Sequence, residues 1–297
     1  MKNITDLYNV CFNHNNIIYS LDMFRVKTYI TYSKFSDIQF MIDTVYKDKV
    51  NRFWISDRKQ NFHYNYSIEV GEGKSIYFGF MHNTENPRFN KEDTTYNFTI
   101  EFNPNKLKDN SLLMYLLNIS GDWYIRSYDM AFDIPINILD LITDMSGRNF
   151  ERVDNRGYDN KTIYLGKGDG RVKIYNKKRE SDLNLVGDLT RIEISREMDD
   201  FEIRKVVGLK YDNVFPIVYT NNYIYSLSDY QDKTTLALLY AVQQGFPLRD
   251  LTKTYRSKIK SMLEGGYKIK FDNKIATDVL RQTIYFYFMK NDKIHWY

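Results

Sequence analysis

The sequence predicts an α+β protein: a central antiparallel β-sheet followed by a helical C-terminal region. Three observations predict it. Aromatic segments alternate with polar residues through the first third of the chain, further strand-like segments separated by polar turns follow as far as Ser195, and the spacing of apolar residues becomes helical beyond about Asp199. A length of 297 residues is enough for two units at roughly 100 to 200 residues each. The change of period divides them into a β-rich 1–200 and a mainly helical 201–297.

Taken in order, Lys27–Tyr32, Phe62–Tyr66 and Ser75–Phe80 alternate aromatic and polar residues and read as strands. Tyr96–Phe102 continues the series. Ser111–Asn118 reads as a helix with Asn110 as its cap, and Trp123–Asp133 as a long strand. A second helix is expected after Asp133, with Pro135 in its first turn and Ile136, Leu139 and Ile142 on one face. Thr162–Leu165, Arg171–Lys177 and Leu189–Ser195 are strands, the first two joined by the hairpin loop Gly166-Lys167-Gly168-Asp169-Gly170. Helical spacing then runs through Asp232–Gln244, Leu248–Leu263 and Lys274–Lys290.

Composition narrows the setting. The 42 basic and 38 acidic side chains leave a formal charge of +4, which neither demands nor forbids a polyanionic partner. Cys11 is the only cysteine, so the chain alone makes no disulfide and no thiolate metal cluster, which fits a reducing, cytoplasmic location. No stretch approaches the ~20 apolar residues of a membrane span, so no membrane partner is expected. The four histidines, His14, His63, His82 and His295, are isolated, which leaves any metal site to carboxylates.

The chemistry is concentrated in four strand-like segments. In Arg171-Val172-Lys173-Ile174-Tyr175, alternation turns Val172 and Ile174 inward and puts Arg171, Lys173 and Tyr175 on the other face. Glu101 alternates with Phe98, Ile100 and Phe102. Asp129 and Asp133 flank the small Ala131, opposite Met130 and Phe132, while Arg191 and Glu193 alternate with Ile192 and Ile194. Carboxylates on one sheet face suit a hard cation such as Mg²⁺ or Mn²⁺. Asp129 and Asp133 are about 13 Å apart along an extended strand, so a cross-strand pair such as Glu101 with Asp129 suits one ion better. Lys173, about 6.6 Å along the strand from Tyr175, is placed to favour a phenolate or to meet a phosphate. Beyond these strands, Arg249, Lys253, Arg256, Lys258 and Lys260 give Leu248–Leu263 a basic surface suited to a phosphate backbone.

Together, Ile100-Glu101-Phe102-Asn103-Pro104-Asn105-Lys106, Asp129-Met130-Ala131-Phe132-Asp133, Arg171 to Glu180 and Arg191-Ile192-Glu193-Ile194 resemble the Rep_trans family of plasmid rolling-circle replication initiators. The resemblance covers roughly residues 95 to 200. It implies a sheet related to the HUH/Rep nuclease architecture and a nickase that cuts and rejoins one DNA strand at a replication origin. On that reading Tyr175 is the nucleophile, assisted by Lys173, and becomes linked to the 5′ phosphate. Glu101, Asp129 and Glu193, with Asp133, are the expected acids of a Mg²⁺ or Mn²⁺ site. Arg171, Lys177, Lys178 and Arg191 join the downstream basic residues as expected DNA contacts. The chain departs from the family in having Ser127 two residues before Asp129, with Arg126 one place earlier. The partners implied are origin DNA, single-stranded or extruded as a hairpin at the nick, a second copy of the chain and a host helicase. Competing readings are a conjugative relaxase acting at a transfer origin and a non-catalytic DNA-binding regulator.

Overall fold

The computed structural model describes residues 8–53, 63–71, 74–82, 95–107, 111–144, 150–154, 161–180, 187–212, 215–220, 232–243, 246–264 and 268–289. The expected positions Phe62, Asn110, Gln244, Lys290 and His295 lie outside these residues. The chain has a mixed architecture with a large antiparallel sheet and several helices. A short β1 (Cys11–His14) forms a hairpin with the 15-residue β2 (Ile17–Thr31), which runs directly into α1 (Tyr32–Val45). Strands β3 (Val50–Phe53), β4 (Tyr64–Gly71), β5 (Lys74–His82) and β6 (Thr95–Phe102) follow, then α2 (Ser111–Leu117) and β7 (Tyr124–Ile134). After β8 (Leu141–Asp144) come β9 (Phe150–Asp154), β10 (Lys161–Leu165), β11 (Val172–Asn176), the single-turn α3 (Lys177–Glu180) and β12 (Thr190–Glu202). The remainder holds β13 (Ile217–Thr220), α4 (Lys233–Gln243), α5 (Lys253–Glu264) and α6 (Asn273–Ile284).

Eleven strands form one sheet in the order β3-β4-β5-β6-β2-β7-β12-β11-β10-β9, with β1 paired to β2 beside that path. Every pairing is antiparallel. One face is apolar. Tyr19, Leu21, Phe24, Val26, Phe98, Ile100, Tyr128, Met130, Phe132, Ile192 and Ile194 are buried there with Ala276, Val279, Leu280 and Ile284 of α6. Complete burial of each such aliphatic or aromatic side chain contributes roughly 1.5–3 kcal/mol, so this face is the main driving force for the sheet. A second, smaller core joins Ile142 and Tyr219 to Leu239, Val242, Leu248, Leu251, Ile259 and Leu263. Among the described residues no helix is long and apolar enough to cross a membrane.

Three expected elements differ. The helix after Asp133 is absent: β7 continues to Ile134, Asn137 caps a single 3-10 turn at Ile138–Asp140, and Leu141–Asp144 becomes a strand paired with β13. Tertiary pairing of Leu141, Ile142 and Thr143 with Thr220, Tyr219 and Val218, respectively, overrides their helical spacing. The Leu248–Leu263 helix is broken into a 3-10 turn at Leu248–Asp250 and α5, since Leu248 and Leu251 both turn into the second core. Finally, α1 starts where a strand was expected to end. Thr31 closes β2 and its hydroxyl accepts from the Lys34 amide at 3.5 Å, so strand end and helix cap are one residue. The expected hairpin loop stands between β10 and β11, with Gly166, Gly168 and Gly170 at φ of 78°, 64° and 73°, a region that favours glycine.

Candidate functional site

The second face of the sheet carries the polar residues, and pairing sets their neighbours. Tyr175 on β11 lies opposite Arg191 on β12, which lies opposite Asp133 on β7. In the adjacent row Lys173 faces Glu193, then Ala131, then Ser20 of β2. Cross-strand residues in one row share a face, so the alternation read from the sequence brings Tyr175, Lys173, Arg191 and Glu193 together.

The Tyr175 hydroxyl donates to Glu193 Oε1. Lys177 Nζ is 3.4 Å from the same hydroxyl, and Lys173 Nζ stands 3.9 Å from the ring centroid. Lys173 Nζ is also 3.8 Å from Glu193 Oε2. The phenol is buried, with 3 % exposure. Burial first, then the charge of Glu193 and Asp22, holds its pKa well above the usual tyrosine value, although Arg191 opposes the shift. Burial likewise pushes Glu193 up to about 7, helped by Asp22 and opposed by Arg191 and Lys173. A carboxylate that titrates near neutrality and accepts a hydrogen bond from a phenol is within reach of the phenol proton.

Arg191 is the hub. Its Nε meets Asp133 Oδ1 at 2.6 Å and its Nη2 meets Asp133 Oδ2 at 2.7 Å, a two-pronged pair, while Nη1 contacts Asp22 Oδ1. Tyr8 completes the group: its hydroxyl donates to Asp133 Oδ2 and lies 3.1 Å from Arg191 Nη2. Two expectations change here. Asp133, expected among metal ligands, is fully buried with both oxygens engaged by Arg191 and Tyr8, and its observed part is to fix the guanidinium. Arg191, expected on DNA, is 2 % exposed and spends its donors on carboxylates.

Asp22 was not foreseen. Leu21 pairs with Met130 and Met23 with Asp129, leaving Asp22 as an extra residue in a β-bulge. The sequence does carry the signal: inward residues are Tyr19 and Leu21 before it and Phe24 and Val26 after it, so the alternation slips by one. On the other edge of β2, pairing passes from β1 at Ser20 to β6 at Phe24, and the intervening gap is filled by the turn after β6. Asn103 Nδ2 donates to Asp22 Oδ1 at 3.1 Å, Asn103 Oδ1 accepts from the Asn105 and Lys106 amides, and Asn105 Nδ2 donates to the Leu21 carbonyl. The Asn-Pro-Asn string is thus the plug of the bulge. Tyr287, in the π-helical turn Tyr285–Met289 beyond α6, braces it from the core side with a 2.6 Å bond to the Pro104 carbonyl.

The remaining acids are arranged loosely. Glu101 pairs with Arg25, its cross-strand neighbour. Asp129 is bonded to Ser195; burial raises its pKa first, and Asp22 and Glu101 raise it further against Arg171. Among the described residues no three His, Cys, Asp or Glu side chains assemble as a metal-holding group. The donor chemistry that fits a hard cation is that of Asp129, whose neighbouring carboxylates a cation would relieve.

The expected DNA contacts separate into two sets. Arg171, Arg249 and Lys253 are exposed, and Lys178 is half-buried with its ammonium 3.0 Å from the Gly187 carbonyl. Lys177 belongs to the Tyr175 cluster, with 6 % exposure. Arg256 donates to the Arg249 carbonyl at 2.5 Å and the Leu251 carbonyl at 2.9 Å, closing the turn before α5, and Lys258 is paired with Asp232. Lys260 is half-buried on α5. The helix therefore uses part of its charge to hold itself on the second core.

No family model matches the chain, and no curated protein matches it. The Rep_trans resemblance rests on the motifs. Among solved structures the chain is similar to a rolling circle replication initiator protein from Geobacillus stearothermophilus, with 10 % identity, 84 % of this chain and 97 % of that chain covered, and a TM-score of 0.38. At that score the likeness assigns neither residues nor chemistry.

Proposed function

We propose that this chain is the replication initiator of a plasmid or mobile element, a metal-dependent nickase and strand transferase in which Tyr175 attacks a phosphodiester of origin DNA. The observation that carries the reading is the Tyr175 hydroxyl donating to Glu193 with one lysine over its ring and another beside its oxygen. A phenol is a poor nucleophile while protonated, and this arrangement supplies both a proton acceptor and positive charge for the phenolate that forms.

In the step envisaged, the Tyr175 oxygen attacks phosphorus as its proton passes to Glu193. The bond from phosphorus to the 3′ oxygen breaks, that oxygen leaves and takes up a proton, and a tyrosine–5′-phosphate ester remains. No phosphodiester energy is lost to hydrolysis, so the reverse attack by a 3′ hydroxyl rejoins the strand. Lys173 and Lys177 stabilise the charge that develops, and Arg191, fixed by Asp133, holds the carboxylate side of the site in place. Lys173 and Asp22, with side-chain exposures of 27 % and 20 %, mark the side from which a strand reaches the phenol. Mg²⁺ or Mn²⁺ is the cofactor that the Rep_trans resemblance implies; Asp129 is the carboxylate whose donor chemistry would suit it, and the ion would supply Lewis-acid polarisation of the phosphate. Arg171, Lys178, Arg249, Lys253 and Lys260 are the proposed DNA contacts. A homodimer and a host helicase follow from the Rep_trans resemblance as partners.

The test is incubation of the purified protein with a supercoiled origin plasmid and Mg²⁺ or Mn²⁺, followed by mapping of any covalent adduct. A 5′ end attached to Tyr175, absent after chelation and absent in Tyr175→Phe, is the expected result. Equal nicking by Tyr175→Phe would falsify the assignment.

A further inference from the structure

The same polar face carries a second group of residues, which begins with Lys27 about 13 Å along β2 from Met23, the position opposite Asp129, and reaches Tyr29 at about 20 Å. Two irregularities build it. Arg25 pairs with Ser127 and Val26 with Ile125, which makes Arg126 an extra residue on β7 and turns its side chain outward instead of into the core. On the next strand, Glu197 pairs with Ser127 and Phe201 with Ile125, so three residues of β12 stand against Arg126 alone, and Asp200 adopts φ 52° there. The two distortions meet. Asp200 receives Arg126 at 2.9 Å through one oxygen and Lys27 through the other. Beside them Tyr29, two residues before the end of β2, is 47 % exposed, with Tyr124 edge-on at 6.4 Å and Lys27 Nζ 5.4 Å from its ring centroid.

We propose that Tyr29, Tyr124, Arg126 and Lys27 form a subsite for single-stranded DNA, distinct from the Tyr175 site and on the same strand path. An accessible tyrosine ring is a stacking platform for an unpaired base, and two cations sharing one carboxylate leave a net positive charge for a phosphate. Duplex DNA offers no such base face, which selects single-stranded polynucleotide as the occupant. Continuity with the candidate nicking site sets the order: a strand held at Tyr175 runs past Asp129 and Arg25 before it meets Tyr29. The inference rests on the proposed function only for the identity of the polymer.

The test compares binding of two labelled oligonucleotides by fluorescence anisotropy, one ending at the nick and one extended by about ten nucleotides, a length in the range of common single-strand sites. Tyr29→Ala and Arg126→Ala are each expected to weaken the longer strand by about tenfold and to leave the shorter one unchanged. Tyr29→Phe retains the wild-type affinity, since the ring and not the hydroxyl stacks. Asp200→Asn strengthens binding by removing the like charge. Unchanged affinity of both alanine variants for the longer strand overturns the subsite, whatever happens at Tyr175. A change of sedimentation with no change of DNA affinity also overturns it and assigns the patch to a second copy of the chain. Adduct formation on a separate oligonucleotide that spans the nick reports the Tyr175 reading independently.

Discussion

The two ends of the polar sheet face use the same chemistry at opposite depths. Arg191 and Asp133 pair at side-chain exposures of 2 % and 0 %, while Asp200, 38 % exposed, holds Arg126 at 48 % exposure as well as the buried Lys27. Buried charges bring a large desolvation cost that is met only by close, complete pairing, so such a cluster fixes geometry and tolerates no missing member. Exposed pairs contribute ~0–1 kcal/mol each and exchange partners readily. The buried end is therefore suited to holding a reacting group still, and the open end to meeting a ligand.

This contrast can be broken most severely at its hub. Arg191→Ala leaves Asp133 charged and unpaired in the interior and is expected to lower stability by about 3–5 kcal/mol, read by chemical denaturation. Arg126→Ala at the open end should shift the same measurement by under about 1 kcal/mol, and equal losses at the two sites would erase the distinction between them. Next in size is Glu193→Gln, which removes the proton acceptor while retaining a polar partner for Tyr175. A loss of about 10²-fold or more in the single-turnover rate of adduct formation is expected, with little change in DNA affinity.

A smaller effect is the pH profile. The acting form of Glu193 is the deprotonated one, and its pKa lies near 7, so the adduct rate should rise as pH climbs through about 7 and flatten above it. Protonation at lower pH fills the acceptor site and suppresses the reaction. Glu193→Gln should lack that limb; a wild-type profile flat across neutrality would remove Glu193 from the role of base.

Much of the sheet was legible because its chemistry repeats every second residue. The alternation through β6, β7, β11 and β12 placed Glu101, Asp129, Tyr175 and Glu193 on the polar side, which the structure shows as their common face. What alternation cannot convey is depth. Asp133 and Arg191 have the same pattern as Asp129 and Arg171, yet the first two are sealed into an ion pair by Tyr8, a residue 125 positions before Asp133 that no local signal links to it. Irregularities were the other loss. Asp22, Arg126 and Asp200 stand where a strand departs from its period, and a search for regular strands passes over them. The same limit explains the false helix after Asp133, where Ile136, Leu139 and Ile142 match helical spacing but Ile142 pairs with Tyr219 of a strand far along the chain.

The bulge in β2 gives Asp22 an unusual standing in the chain. Removing that one residue would bring Leu21 and Phe24 into a single unbroken alternation and match β2 to Met130, Asp129 and Tyr128 without a gap. Every inward side chain would keep its side, so the cost of the deletion would fall on the polar face, where Arg191 would lose a carboxylate. Asp22 is thus surplus to the apolar face alone, and its use lies on the face where it points, against Arg191 and Asn103.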